Sequence, residues 1–211
     1  QMSHYGSYSR LARYSDYNEM ESMAEISSAL DIYGHEACSK GEDGEIIRIK
    51  SSDPKIREAL NKLFYDTLNI EFNAAPWIRS LCKYGDFLLL LDHHPDFGVM
   101  NVFPIPINEI EREEGYDTKN PTAYRYRWLA QGNRTLEPWM IAHFRLLGND
   151  GYLPYGTSIL EAARRAWRQL LLMEDAVMVY RIVRSPERRV FYIDVGNVAP
   201  ADVKAVMENT K

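Results

Sequence analysis

Asp92, His93 and His94 stand in a row after the apolar run Leu88–Leu91. A carboxylate beside two imidazoles at a strand end is a ligand set for divalent metal ions, which activate water against a phosphodiester. The triplet therefore opens one enzymatic reading, a metal-dependent phosphoesterase using Asp92, His93 and His94. Such a centre needs further acidic and histidine ligands. The other histidines, His4, His35 and His143, stand in no metal-binding motif, and no Asp-x-Asp element precedes the triplet. Asp92 to Gly98, with its His-His-Pro-Asp core, reads more simply as a polar hairpin turn. A second candidate is Gly148-Asn-Asp-Gly-Tyr-Leu-Pro-Tyr-Gly156, glycine-rich and just before a helix N-terminus, where backbone N–H groups could hold an anion. It lacks Gly-Lys-Ser/Thr and reads as a structural turn. A third is Tyr124-Arg-Tyr-Arg-Trp128, whose aromatic rings could stack bases of single-stranded nucleic acid. Alternation of this kind fits a strand with one buried aromatic face and one solvated basic face. No catalytic residue, cofactor or metal is expected.

The elements that carry these residues follow from period and punctuation. Ser3 to Tyr17, rich in Ser, Tyr and Gly, predicts a loosely ordered start. From Asn18 the spacing of Met20, Met23, Ile26, Leu30 and Tyr33 predicts an amphipathic helix to about Ala37. A turn at Gly41-Glu-Asp-Gly44 and a short strand Ile46 to Lys50 follow. Asp53-Pro54 supplies an N-cap with proline at the first helical position, opening a helix that turns Ile56, Leu60, Leu63, Phe64 and Leu68 inward. A third helix runs from about Ala74 to Tyr84 and is closed by Gly85. Phe87 to Leu91 is too short for a helix and predicts a buried strand, returning through Val99 to Phe103 as a hairpin. Pro104 and Pro106 break the ladder, and Ile107 to Glu114 reads as an acidic linking segment. A second hairpin joins Tyr124–Trp128 to Trp139–Phe144 around Gly132-Asn133. Helices followed by hairpins give an α+β fold with a mainly antiparallel sheet.

Ser158 followed by Glu161 is a capping box, and the periodicity then runs unbroken to about Val183. On this long helix Leu160, Ala163, Trp167, Leu170, Leu171, Val177 and Met178 share one face, and Glu161, Arg164, Arg165, Arg168 and Asp175 the other. Glu174 falls among the apolar set, and so does Arg181 two turns later. A carboxylate there is costly unless paired, so Glu174 and Arg181 predict a shared ion pair or a subunit interface. Ser185-Pro186 ends the helix. Arg189 to Asp194 reads as a strand, Gly196-Asn197 as a turn, and a last helix starts near Pro200.

With 211 residues, 45% hydrophobic and 26% charged, the chain can bury a core of one or two domains. The longest aliphatic run is far short of a membrane span, and no basic-then-apolar leader stands at the start, so a soluble intracellular protein is expected. Gln1 in place of an initiating methionine is what a fragment or a processed chain would show. The two cysteines, Cys38 and Cys82, lack the short spacing of a zinc site and read as reduced core thiols. A net charge of -5 argues against general grip on duplex DNA, which depends on Lys and Arg neutralising phosphates.

The segment Tyr155 to Asn197, with Leu172-Met-Glu-Asp-Ala176 near the helix end and Arg184-Ser-Pro-Glu-Arg-Arg-Val-Phe-Tyr-Ile-Asp-Val-Gly-Asn197 after it, resembles the portal vertex protein of tailed bacteriophages, most closely the T-even type. Glu19-Met-Glu21, Ile26-Ser-Ser-Ala-Leu-Asp-Ile-Tyr33 and Glu36-Ala-Cys38 resemble that family's early wing helix. The resemblance implies a wing over residues 1–157, a stem helix over 158–183, and the start of a small α/β clip over 184–211. It implies a non-enzymatic subunit of a homo-oligomeric ring, a dodecamer, at the capsid vertex of the virion, built in the host cytoplasm. The implied partners are the terminase large subunit, neck or head-completion proteins, the major capsid protein and double-stranded DNA passing through the channel, with no membrane. Within that frame Glu174, Arg181 and Trp167 are expected at a subunit interface. Glu161, Arg164 and Arg168 are expected to act as channel or inter-subunit charges. An acidic or mixed lining would let a polyanion slide, which suits the net charge.

Overall fold

The computed structural model describes residues 2–148, 153–185, 190, 192, 194, 196, 197, 199 and 201–209. The order is α1 (Met2–Glu21), α2 (Ala24–Ala37), α3 (Pro54–Asn61), a π-helical turn (Lys62–Thr67), α4 (Ile70–Tyr84), β1 (Asp86–His94), β2 (Gly98–Ile105), β3 (Ile110–Glu114), β4 (Tyr124–Trp128), β5 (Arg134–Leu136), a 3-10 turn (Pro138–Met140), β6 (Ile141–Arg145), α5 (Glu161–Arg184) and α6 (Val203–Asn209). The strands form two antiparallel three-stranded sheets, ordered β2-β1-β6 and β3-β4-β5. The fold is α+β. It divides into one compact unit reaching Arg168 and another from Gln169 onward.

The start of the chain is helical, not loose. Arg10, Tyr14, Tyr17 and Met20 recur at helical spacing and are all buried, so the first helix hides a stripe of tyrosine and arginine where an aliphatic stripe is more usual. Composition alone disguised it. The helix expected over Asn18–Ala37 is two, broken at Ser22 and Met23, where the Ser22 hydroxyl donates to the Glu19 carbonyl at 2.6 Å. The strand expected at Ile46–Lys50 is irregular chain. Asp53 caps α3 as expected, accepting the Lys55 N–H at 2.8 Å, with Pro54 behind it. Helix α4 begins at Ile70, earlier than the spacing predicts, and keeps Pro76 inside it. At its end Gly85 takes the left-handed φ of 81°.

Strand β1 is the middle of its sheet, which is why Phe87, Leu88 and Leu89 are buried in sequence. The β1–β2 hairpin forms as expected, pairing Leu88 with Ile105, and slips register between Asp92 and His93. The second hairpin does not. After Gly132-Asn133 the chain returns only as β5, and the later strand β6 crosses to pair with β1, setting Leu88 beside His143. The linking segment expected at Ile107–Glu114 contains β3, whose Glu111 and Glu113 lie opposite Arg127 and Arg125 of β4. Cys82 is buried in the core and Cys38 is only half-buried. Helix α5 runs 24 residues without a break. The strand expected at Arg189–Asp194 falls largely outside the described residues, and the last helix appears as α6.

Candidate functional site

Asp92, His93 and His94 do not make a metal centre. All three side chains are exposed at the end of β1. His93 meets the edge of Trp139 at 5.8 Å between ring centroids, and His94 lies over Phe97 at 5.1 Å while its Nδ1 accepts the Asp96 N–H at 3.2 Å. Among the described residues no group of three His, Cys, Asp or Glu side chains is placed to hold a metal ion. The register slip after Asp92 belongs to a polar hairpin end, and the phosphoesterase reading has nothing to stand on.

The basic residues of β4 are also accounted for. Arg125 reaches Glu113 at 2.7 Å and Arg127 reaches Glu111 at 2.9 Å, while Tyr126 is buried between them. The strand is a cross-strand charge ladder with an aromatic inner face.

The chemistry-bearing residues that converge lie where the chain enters α5. Asp86, the first residue of β1, has a fully buried side chain. Its Oδ1 accepts from His143 Nε2 at 2.8 Å and from the Gly156 N–H at 2.9 Å, and its Oδ2 accepts the Tyr14 hydroxyl at 3.4 Å. Because a carboxylate only accepts, His143 donates to it from Nε2, and its Nδ1 shares a hydrogen bond with the Tyr126 hydroxyl at 3.1 Å. The carboxylate thus joins α1, its own sheet and the chain before α5, and through His143 it reaches Tyr126 of the second sheet. Burial, followed by the nearby Asp86 charge, pushes the Tyr14 phenol above its ordinary value, so it stays a donor. Arg10 adds a second tie, donating to the Ile110 carbonyl at 3.0 Å with its guanidinium 4.1 Å from the centre of the Tyr155 ring. Sequence reading passed over His143 because its partner is 57 residues away in the chain. The available signal was a charged residue opening a buried strand directly after the helix-ending Gly85.

Two glycines make the crossing possible. A Cβ on Gly156 would lie 2.0 Å from the Gly85 carbonyl oxygen, and one on Gly85 would lie 2.5 Å from the Ser158 nitrogen. With the backbones that close, the Leu146 N–H reaches the Gly85 carbonyl at 2.9 Å, and the Ser158 hydroxyl donates to the Lys83 carbonyl at 2.6 Å while accepting the Leu160 N–H at 2.9 Å. Ser158 therefore ties down the entry to α5 by accepting the Leu160 N–H, but not as the expected capping box, since the helix begins at Glu161, which is its first residue and not its third. Glu161 takes the Tyr17 hydroxyl and pairs with Arg164 at 3.0 Å. Arg164 and Arg168 both reach Asp16 of α1, Arg164 at 3.2 Å. Trp167 is 6% exposed and belongs to the chain's own core. So Glu161, Arg164 and Arg168 in the first two turns of α5 meet partners inside the chain and fasten the helix to α1.

Beyond Arg168 the character changes. Leu172, Met173, Met178, Ile182 and Val183 are each more than 60% exposed, and Val177, Val179 and Tyr180 are more than half exposed. Apolar side chains thus point out around the whole girth of the helix. No helix among the described residues is long and apolar enough to cross a membrane. Leu170, Met173, Val177 and Met178 share one open face of α5, and Glu174 and Arg181 lie on it too.

The family model for the bacteriophage T4-like portal protein (Gp20) matches residues 10–211. The portal protein of Vibrio phage KVP40 is 37% identical over 95 residues, covering 40% of this chain and 19% of that protein. The portal protein of Salmonella phage ViI is 36% identical over 58 residues, covering 28% of this chain and 10% of that protein. The matched stretches therefore span less than a fifth of those relatives. With a match that covers nearly its whole length, the chain belongs to the T4-like bacteriophage portal protein family.

Proposed function

We propose that this chain is part of a structural, non-catalytic subunit of a portal ring, the DNA conduit at one vertex of a phage capsid. In that role residues 1–157 are the wing, 158–183 the stem and 184–211 the entry to the clip. The ring would admit the genome during packaging, dock the terminase large subunit, later bind neck proteins, contact the major capsid protein, and release the genome on ejection. The observation that carries the reading is the second half of α5. Sixteen residues from Gln169 to Arg184 leave leucine, methionine, valine and isoleucine side chains in water on every side, in a helix that cannot span a membrane. Apolar surface of this extent is stable only when covered, and a ring of copies covers it. Electron microscopy of the full-length protein tests this. Rings with a central hole are expected, and a monomer at all concentrations overturns the reading.

A further inference from the structure

Trp167, Leu170, Glu174, Val177, Arg181 and Arg184 follow one another at spacings of three and four, the seam of a heptad repeat. The seam starts inside the fold at buried Trp167 and continues as exposed Leu170 and Val177, 41% and 51% accessible. Its two interior charges are opposite in sign and seven residues apart, roughly 10 Å along the axis at 1.5 Å per residue. That separation is too long for a pair on one helix face, where neighbours lie three or four residues apart. Neither charge has an ion-pair partner among the described residues, and both lie on the same open face of α5. Two copies aligned in register would set glutamate against glutamate and arginine against arginine. A shift of one heptad sets Glu174 of one copy against Arg181 of the next and Leu170 against Val177.

Resting on the portal reading, we infer that Glu174 and Arg181 are the two halves of a head-to-tail contact between successive copies, staggered by one heptad along α5. The occupant of that face is a second copy of the same chain. Opposite charges in the seam select the staggered contact and penalise the in-register one, since like charges facing each other in a desolvated contact are strongly unfavourable. The contact repeats around a ring because its two halves lie at different places on each copy.

The test uses the full-length protein with Glu174→Arg, Arg181→Glu, the double exchange, and an equimolar mixture of the two single variants. Each single variant puts like charges at every contact and should lower ring yield about tenfold or more. The double exchange, and the mixture with copies alternating, restore opposite charges and should bring ring yield back to within about twofold of wild type. Wild-type rings together with normal rings from both single variants would overturn the contact while leaving the portal reading intact. Rings lost in the single variants and regained by neither the exchange nor the mixture would also overturn it, as would rescue that yields only two-copy particles. Absence of rings from the wild type itself would remove the portal reading on which the contact rests.

Discussion

Replacing Asp86 with alanine removes one buried carboxylate and leaves its three donors without their acceptor. The His143 Nε2–H at 2.8 Å and the Gly156 N–H at 2.9 Å are well-formed bonds, and the Tyr14 hydroxyl at 3.4 Å is a weak one. An orphaned buried donor costs about 1–3 kcal/mol, so about 2 for each strong bond and about 1 for the weak one sum to about 5 kcal/mol. That is comparable with the whole stability of many domains, about 5–15 kcal/mol. Thermal unfolding of this chain, followed by circular dichroism, should drop by roughly 10–20 °C for that loss. Asp86→Asn with its carbonyl oxygen in place of Oδ1 keeps an acceptor for both strong donors and turns its NH2 only toward the Tyr14 hydroxyl, so it should lose much less, about 1–2 kcal/mol. His143→Ala removes one partner and the imidazole, and the Asp86→Ala, His143→Ala double variant should cost less than the sum of the singles by at least about 1 kcal/mol. Exchange of the Gly156 amide proton should quicken in Asp86→Ala before the rest of the chain unfolds. A loss below about 1 kcal/mol with additive single effects would refute the reasoning, because it would mean that the three donors find water or other acceptors.

Gly156→Ala should be worse than any surface glycine change, because the new methyl carbon would sit 2.0 Å from the Gly85 carbonyl oxygen; loss of at least about 3 kcal/mol is expected in urea unfolding, against about 1 kcal/mol for Gly44→Ala, which meets nothing within 4 Å. Asp16→Asn removes the charge shared by Arg164 and Arg168 and should loosen the start of α5, seen as faster amide exchange from Glu161 to Arg168 and a loss of about 1 kcal/mol. Burial pushes the Glu21 carboxyl up, but bonds from Lys83 and Arg79 outweigh it and hold the group below its ordinary 4.5. A depressed carboxyl stabilises the fold above its unfolded value, so this contribution is intact above pH 4.5 and fades as pH falls through the lower folded value. Stability measured from pH 6 downward should therefore decline less steeply in Lys83→Met than in wild type.

Read alone, the sequence determined what local rules govern. Asp53-Pro54 starts a helix because a carboxylate can accept a neighbouring N–H and proline suits the first turn. Gly85 ends one because only glycine adopts φ of 81° without strain. The β1–β2 hairpin follows from a short apolar run before a polar turn, and the 24-residue α5 from a cap, a 3.6-residue period and a following Ser-Pro. The motif at Tyr155 to Asn197 even carried the family. Tertiary structure alone decided which strand β6 joins, since the pairing of Leu88 with His143 depends on what lies beside β1 and not on the turn before β6. It also decided that Ser3–Tyr17 is helical, because tyrosines and an arginine serve as a buried stripe only once Asp86, Glu161 and Ile110 are there to take their polar ends. The fate of α5 shows the division most plainly. Its amphipathic period was legible, but Arg164 and Arg168 find Asp16 about 150 residues back, while Glu174 and Arg181 are left with each other's sign and no partner among the described residues. Charge is written in the sequence; what a charge faces is settled only by the packing that brings distant segments together.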